Sequence, residues 1–220
     1  MRTISFAALL FAGAAAGATP FSPKMAEAFH KQYPAIKLDP AEVAVGDLNK
    51  DGLADFATFV GQANGDDDLP VAVFLAKSDG NYALSTESGL VMGHSRSQRS
   101  LEIQKGSLFL HRSGSNGCCS DWVEKFQFQL RDGVFVLIGE DNYTLPKGDS
   151  DDERQTSVNY LTREALFWRK LDGKRKEKRL SFNIPALLTL KTFEYNTHYN
   201  TMPKELHGHF DDQLHFVVGK

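Results

Sequence analysis

Apolar and polar residues alternate with a period of two along most of the chain, and short polar turns recur between the alternating runs. Side chains of a β-strand point alternately to opposite faces, so this period predicts strands that bury one face and expose the other. Turns rich in Gly, Asp and Asn favour direct reversals, which place successive strands side by side and antiparallel. The sequence therefore predicts a mainly β fold of antiparallel sheets built from hairpins.

The clearest hairpin joins the predicted strands 122–130 and 134–139 through Asp132-Gly133, residues that tolerate the left-handed backbone of a tight reversal. One face of the first strand is apolar except for a single carboxylate. The residues on that face are Trp122, Glu124, Phe126, Phe128 and Leu130. The other predicted strands are 43–46, 56–60, 71–76, 82–85, 101–104, 108–111, 157–161, 165–169 and 179–183.

A helical spacing of apolar residues is found near the N-terminus, over 23–32, and Pro34 ends it. We predict one short N-terminal helix there. The polar stretch 147–155 predicts a mobile surface loop, and the polar tail after Thr192 has no clear pattern. Because no boundary divides the chain convincingly, residues 19–220 are predicted to form a single mainly β domain.

Residues 1–18 have the character of a secretory signal peptide. Arg2 is followed by the apolar run 4–16, and Ala16-Gly17-Ala18 is a small-x-small cleavage pattern before Thr19. The run is shorter than the roughly 20 apolar residues that span a bilayer, and no other stretch of the sequence is long and apolar enough. The sequence thus predicts a bacterial protein that is periplasmic or secreted without a membrane span. An uncleaved N-terminal anchor is the alternative.

The charge of the chain argues against a nucleic-acid partner. The formal net charge is -3 at pH 7, whereas a nucleic-acid surface needs clustered Lys and Arg. The one basic run, 174–179, lies between the apparent turn Asp172-Gly173 and a predicted strand. We interpret it as a solvated hairpin arm, with docking to an anionic surface or partner as the alternative.

Residues 47–55 have the pattern D-x-N-x-D-G-x-x-D, which is typical of a calcium loop. Gly52 at position 6 permits the bend that brings the later ligands round. The predicted calcium ligands are Asp47, Asn49, Asp51, the backbone carbonyl of Leu53, and Asp55. An EF-hand would need Glu at position 12, where this chain has Thr58, so a strand-loop-strand setting is predicted. A metal-free turn rich in Asx residues is the alternative.

The segment around this loop, residues 43–60, resembles the calcium loop of FG-GAP/VCBS-type repeats, found in integrin-like β-propellers and many bacterial secreted proteins. The resemblance implies a calcium ion held by the same five residues in a loop between two strands. A propeller needs several such repeats, and the sequence contains one. We therefore expect a partial propeller-like or sandwich arrangement, not a full propeller.

Cys118 and Cys119 are adjacent and are the two cysteines of the chain. In an oxidising compartment, two thiols without another partner tend to pair, so we predict a vicinal disulfide that rigidifies the local turn. A reduced pair and a redox or ligand-contacting element are the alternatives.

Sequence motifs of common catalytic sites are missing. The chain has no G-x-S-x-G elbow, no H-E-x-x-H, no phosphate-binding P-loop and no dinucleotide fingerprint. Four histidines near the C-terminus could assemble a transition-metal site, although a polar surface tail is the simpler interpretation: His198, His207, His209 and His215. No catalytic or organic-cofactor residue is predicted, and a non-enzymatic role is favoured although enzyme activity stays open.

These observations predict an exported calcium-binding β-domain that acts as a binding or interaction module at the bacterial envelope, with a protein or glycan partner. Two alternatives remain from the sequence. One is a periplasmic inhibitor or immunity-type protein, and the other is a hydrolase of envelope polymers.

Overall fold

Two antiparallel sheets, in which consecutive strands pair in chain order, account for most of the regular structure. The computed structural model describes residues 21–61, 69–91, 98–117, 119–148 and 150–218. The four-stranded sheet consists of β1 (Ala44–Gly46), β2 (Asp55–Phe59), β3 (Val71–Ala76) and β4 (Tyr82–Glu87). The seven-stranded sheet consists of β5 (Gln98–Gln104), β6 (Ser107–Ser115), β7 (Ser120–Arg131), β8 (Val134–Pro146), β9 (Glu153–Asn159), β10 (Glu164–Leu171) and β11 (Lys174–Ser181). A small hairpin pairs β12 (His209–Phe210) with β13 (Phe216–Val217).

Helices are few among the described residues. The predicted N-terminal helix is confirmed as α1 (Pro23–Gln32), and a second helix that the sequence did not predict is α2 (Tyr195–Thr201). Single 3-10 turns cover Pro40–Glu42, Leu190–Thr192 and Lys204–His207. None of the helices described is long and apolar enough to cross a membrane. The predicted mainly β, antiparallel fold is confirmed, whereas the predicted signal peptide, residues 1–18, lies outside the described residues.

The predicted central hairpin is confirmed as β7 and β8, which pair antiparallel up to Arg131 and Val134. Its turn residues take the backbone conformation that the sequence suggested, with φ of 50° at Asp132 and 79° at Gly133. Both strands are longer than predicted, because the ladder continues through polar residues whose side chains alternate between the faces.

The four-stranded sheet is covered on both faces. Phe56 and Phe74 stack with ring centroids 4.5 Å apart on the face where Phe29 of α1 packs. On the opposite face, residues such as Phe59 join the core that contains side chains of the seven-stranded sheet, for example Phe128. Full burial of each such aromatic side chain contributes about 1.5–3 kcal/mol relative to leaving it in water. The layers are therefore helix, sheet and sheet, as expected for a partial sandwich.

The C-terminal tail, which had no readable pattern, completes the core of the seven-stranded sheet. Phe193 is fully buried, and Leu190, Leu206 and Phe210 are also buried in the cluster formed by that sheet. The backbone N–H of Leu137 in β8 donates to the carbonyl of Leu188 at 2.8 Å, which attaches the segment to the sheet. The tail is thus a covering segment rather than a surface appendage.

The prediction of a mobile loop over 147–155 is wrong for its last three residues, since β9 begins at Glu153. The carboxylate of Asp152 accepts hydrogen bonds from the buried Arg169 at 2.7 and 2.8 Å, and Asp151 accepts from the backbone N–H of Gly173 at 2.6 Å. Burial alone raises the pKa of Asp152, but the hydrogen bonds and charges of Arg154 and Arg169 outweigh burial and lower the pKa to about 2. These long-range partners hold a stretch that is polar in sequence.

The basic run 174–179 forms most of β11, the second strand of the hairpin with β10. Its side chains are exposed, which agrees with a solvated hairpin arm. β11 is also an edge strand of the seven-stranded sheet. Charged side chains on an exposed edge discourage pairing with the edge of another sheet.

Candidate functional site

The 47–55 loop joins β1 to β2, as predicted, and its backbone winds around the carboxylate of Asp47. Oδ1 of Asp47 accepts hydrogen bonds from the backbone N–H groups of Lys50 at 2.6 Å and Asp51 at 3.2 Å. Oδ2 accepts from the N–H of Gly52 at 2.9 Å. The turn needs left-handed backbone at Lys50, with φ of 63°, and at Gly52, with φ of 86°. The glycine at position 6 therefore has the conformational role that the sequence predicted.

Two further predicted ligands, Asn49 and Asp51, lie next to each other inside the loop. The amide nitrogen Nδ2 of Asn49 donates to Oδ2 of Asp51 at 2.9 Å, and Oδ1 of Asn49 accepts from the N–H of Asp51 at 3.0 Å. Oδ1 of Asp51 accepts from the N–H of Leu53 at 2.8 Å. Because Asp51 is exposed, its carboxylate is accessible from water.

Asp55, the last predicted ligand, is fully buried. Its Oδ2 accepts from the N–H of Leu48 within the loop, and its Oδ1 accepts from the N–H of Ala76 at the end of β3, both at 2.8 Å. Burial raises the pKa of Asp55 above its ordinary value, and the negative charge of Asp51 raises it further, against the opposing effect of the backbone N–H groups. Asp55 thus holds the loop to the sheet at an electrostatic cost.

The donor set of the loop suits calcium, which prefers carboxylate, amide and carbonyl oxygens. Within the described residues, no Lys, Arg or His forms a salt bridge with the carboxylates of Asp47, Asp51 and Asp55. A divalent cation would supply the missing counter-charge. The same part of the chain has no group of three or more His, Cys, Asp or Glu side chains placed to hold a metal ion. The carboxylates of the loop accept hydrogen bonds from backbone N–H groups and do not all point to one common position. Calcium would therefore bind to some of the predicted ligands in place of these N–H groups.

The loop lies at the junction of the two sheets. A Cβ at Gly46 would come within 2.6 Å of Cγ2 of Ile103 in β5, which shows how closely β1 packs on that strand. A Cβ at Gly106, in the turn between β5 and β6, would lie 2.6 Å from Cε of Lys50. The loop therefore lies beside the contact between the two sheets.

A second candidate site is a buried polar cluster that the sequence analysis missed. We use the term polar cluster for Arg112, Glu124, Glu140, Asn142, Tyr160, Tyr195 and His198. Nη1 of Arg112 lies 2.5 Å from Oε2 of Glu124, and the hydroxyl of Tyr195 donates to Oε1 of Glu124 at 2.8 Å. The guanidinium of Arg112 also lies over the ring of Tyr195, 3.8 Å from its centroid. This half of the cluster is an ion pair in which Arg112 is buried and the side chain of Glu124 is 18% exposed.

Glu140 organises the other half of the polar cluster. Its Oε2 is 2.7 Å from the hydroxyl of Tyr160, which donates to it, and 2.8 Å from Nε2 of His198. Its Oε1 accepts from Nδ2 of Asn142 at 2.9 Å. Burial raises the pKa of Glu124, with a smaller contribution from the charge of Glu140, and burial with the nearby Glu140 raises the pKa of Tyr160.

One signal for the polar cluster was visible in the sequence. Glu124 is the charged exception on an otherwise apolar strand face, and a carboxylate at such a position needs a buried partner. Its partner Arg112 comes from β6, and the ion pair joins residues directly opposite in the ladder. Tyr195 and His198 come from the distant tail, and no local pattern in the sequence points to them.

The histidines near the C-terminus do not assemble into the metal site that was considered. His198 is buried against Glu140, whereas His207 packs on Tyr199 with ring centroids 5.2 Å apart. His215 lies 3.6 Å from a carboxylate oxygen of Asp211. His209 is exposed. His207, His209 and His215 are therefore better described as surface groups.

The predicted pairing of Cys118 with Cys119 cannot be placed, because Cys118 lies outside the described residues. The vicinal disulfide therefore stays a prediction.

No protein-family model matches the chain, and comparison with curated proteins and with solved structures finds no significant similarity. The resemblance of residues 43–60 to FG-GAP/VCBS-type loops thus remains a prediction from the motif itself.

Proposed function

We propose that this protein is an exported β-domain that binds calcium in the 47–55 loop and acts as a binding module at the bacterial envelope. The observation that carries the proposal is the state of Asp55, a fully buried carboxylate that joins the loop to β3. Within the described part of the chain, no salt bridge balances the charge of Asp55 or that of Asp51. Calcium in the loop supplies that balance.

Calcium in this position has a structural effect. The ion binds the folded loop and not the unfolded chain, so it shifts the folding equilibrium by mass action. Asp47 and Asp55 hold the two ends of the loop, and the loop rests on the turn that contains Gly106. Calcium therefore stabilises the contact of the loop with the turn between β5 and β6.

A surface suited to binding lies on the strands β9, β10 and β11. A shallow groove of about 450 Å³ is lined there by hydroxyl, amide, charged and apolar side chains, including Ser157, Asn159, Glu164, Leu166, Arg179 and Ser181. Such a mixture hydrogen-bonds hydroxyl groups and peptide groups while offering apolar contact to a sugar ring or side chain. Its composition supports a glycan or protein partner.

Calcium should raise the melting temperature of the mature protein. For a dissociation constant of roughly 10⁻⁴–10⁻³ M, 10 mM calcium adds about 1–3 kcal/mol to the free energy of unfolding, or several degrees. Asp51→Ala should remove most of this gain, since it deletes an anionic ligand. Glu27→Ala removes the same charge from an exposed position of α1 and should keep the gain. Identical melting curves of the wild type in calcium and in chelator would contradict the proposal.

Binding by the groove can be tested with the calcium-loaded protein on panels of bacterial envelope glycans and periplasmic proteins. We expect at least one retained partner, and Leu166→Arg in the groove should reduce its affinity at least about tenfold by placing a charge against the partner. Leu145→Arg, at an exposed leucine of β8 outside the groove, is the matched control and should bind as the wild type does. Equal effects of the two substitutions would show that the groove is not the binding surface.

A further inference from the structure

One edge of the seven-stranded sheet is formed by β11. The strand order of that sheet ends there, and among the described strands β11 pairs with β10 alone. Within the described ranges, no backbone–backbone hydrogen bond outside this ladder involves residues 174–178. In an antiparallel ladder, the hydrogen bonds to one neighbour use the N–H and C=O groups of every second residue. The remaining backbone groups of β11 therefore point to the edge, where an added strand can bind them.

The edge strand carries positive charge that the described residues do not neutralise. Lys174, Lys176 and Lys178 are exposed and alternate along β11, so their side chains share one face, which we call the lysine face. Their partners in the β10 ladder include no acidic residue: Leu171, Arg169 and Phe167. None of the three lysines forms a salt bridge with another residue in the described part of the chain.

The acidic groups beside this edge already bind other cations. Asp152 and Asp212 both accept hydrogen bonds from the guanidinium of Arg169, which lies opposite the central lysine in the ladder. On the other face of β11, a carboxylate oxygen of Glu177 lies 3.8 Å from the guanidinium of Arg175. The uncompensated positive charge of the strand is therefore concentrated on the lysine face.

We propose that β11 binds an extended acidic peptide segment, which adds to the sheet as a further strand and places its carboxylates beside the lysine face. On any strand, side chains of one face recur every second residue, about 6.6–6.8 Å apart. Carboxylates at alternate positions of the segment thus match the spacing of the lysines, while its backbone binds the N–H and C=O groups at the edge. A second copy of β11 fits poorly, because basic side chains would lie beside basic side chains.

The probe for this edge is a nine-residue peptide with blocked termini in which Glu alternates with Thr. In one control peptide, Gln replaces every Glu and removes the charge. In the other, Pro replaces two of the Thr residues, which keeps the charge but disfavours a strand. At about 0.1 M salt, the protein should bind the Glu peptide at least about tenfold more tightly than either control, as measured by fluorescence anisotropy.

Amide hydrogen exchange, measured by NMR, locates the bound peptide. In the complex, the amides of residues 174–178 that do not bond to β10 should exchange at least about tenfold more slowly, because each gains an acceptor. All measurements are made in chelator. The outcome therefore does not depend on calcium binding by the 47–55 loop.

Charge reversal on the lysine face should exchange the specificity. The variant that combines Lys174→Glu, Lys176→Glu and Lys178→Glu should bind the Glu peptide at least about tenfold more weakly and should prefer a peptide in which Lys alternates with Thr. The matched control reverses three exposed lysines outside the seven-stranded sheet and should bind as the wild type does: Lys24→Glu, Lys31→Glu and Lys37→Glu.

The proposal is overturned if the wild type binds the Glu peptide no better than the Gln peptide. Equal affinity for the Pro peptide also overturns it, since charge alone would then be recognised, as on a polyanionic glycan. Unchanged affinity of the variant with a reversed lysine face has the same meaning. Should that variant fail to fold, the wild type decides, because unchanged exchange of the β11 amides at saturating Glu peptide rejects the added strand.

Discussion

Arg112→Met should lower the free energy of unfolding by about 3–5 kcal/mol, the range found when one partner of a buried ion pair is removed. Arg112 is 2% exposed, and its guanidinium contacts Glu124 and the ring of Tyr195. Without Arg112, the largely buried carboxylate of Glu124 stays near the negative charge of Glu140 and loses the guanidinium that contacts it. Chemical denaturation at neutral pH measures the loss.

The matched control is Arg175→Met in the exposed strand β11. The guanidinium of Arg175 also lies over an aromatic ring, that of Trp168, 4.4 Å from its centroid, but its side chain is 54% exposed. Its loss should cost at most about 1 kcal/mol, because exposed charge and cation–π contacts are weak. Similar losses for Arg112→Met and Arg175→Met would show that the polar cluster does not stabilise the fold as a buried ion pair.

Asp55→Ala should lower the free energy of unfolding by about 2–5 kcal/mol even in the presence of chelator. The substitution leaves the N–H groups of Leu48 and Ala76 without their acceptor, and each buried unsatisfied group costs about 1–3 kcal/mol. Removing a buried carboxylate also removes its desolvation cost, which offsets part of the loss of stability. The loss falls in the lower half of the range if water reaches the two N–H groups.

Asp51→Ala is the comparison that separates the two roles of the loop. Because Asp51 is exposed, its loss in chelator should cost less than about 1 kcal/mol, whereas in calcium it should cost the whole metal-dependent gain. If Asp55→Ala were as mild as Asp51→Ala in chelator, the attachment of the loop to β3 would not depend on the Asp55 carboxylate.

The parts of the fold that could be predicted are those whose signals are local. The strands of the central hairpin follow from alternation over 122–130, and their turn follows from the tolerance of Asp132 and Gly133 for positive φ. The helix over 23–32 follows from the spacing of Met25 and Phe29, both of which are buried against the smaller sheet. Such signals depend on neighbours within one or two turns of the chain.

The parts that could not be predicted depend on distant contacts. Polar residues with no regular period surround Phe193 and His198 in the sequence. Both side chains are buried because they pack on the seven-stranded sheet. The start of β9 could not be predicted for the same reason. The preceding residue, Asp152, is held by a hydrogen bond from Arg169 in the next strand. A polar residue with a remote partner has the same local sequence signal as a polar residue in water.

The candidate sites divide in the same way. The calcium loop was recognisable because its ligands are close in sequence, from Asp47 to Asp55. The polar cluster was not, since Glu124, Glu140 and His198 come from two strands and the tail. Glu124, the one charged residue on an apolar strand face, indicated where such a cluster would lie. The partners of Glu124 could be identified only from the three-dimensional structure.

Isothermal titration calorimetry of calcium into the chelator-treated mature protein tests the calcium site most directly. We expect one calcium ion per chain, with a dissociation constant of about 10⁻⁴–10⁻³ M, and a loss of this binding in Asp51→Ala. Glu27→Ala should titrate as the wild type does. A folded wild-type protein that takes up no calcium at millimolar concentrations, or an Asp51→Ala variant with an unchanged isotherm, would contradict the account.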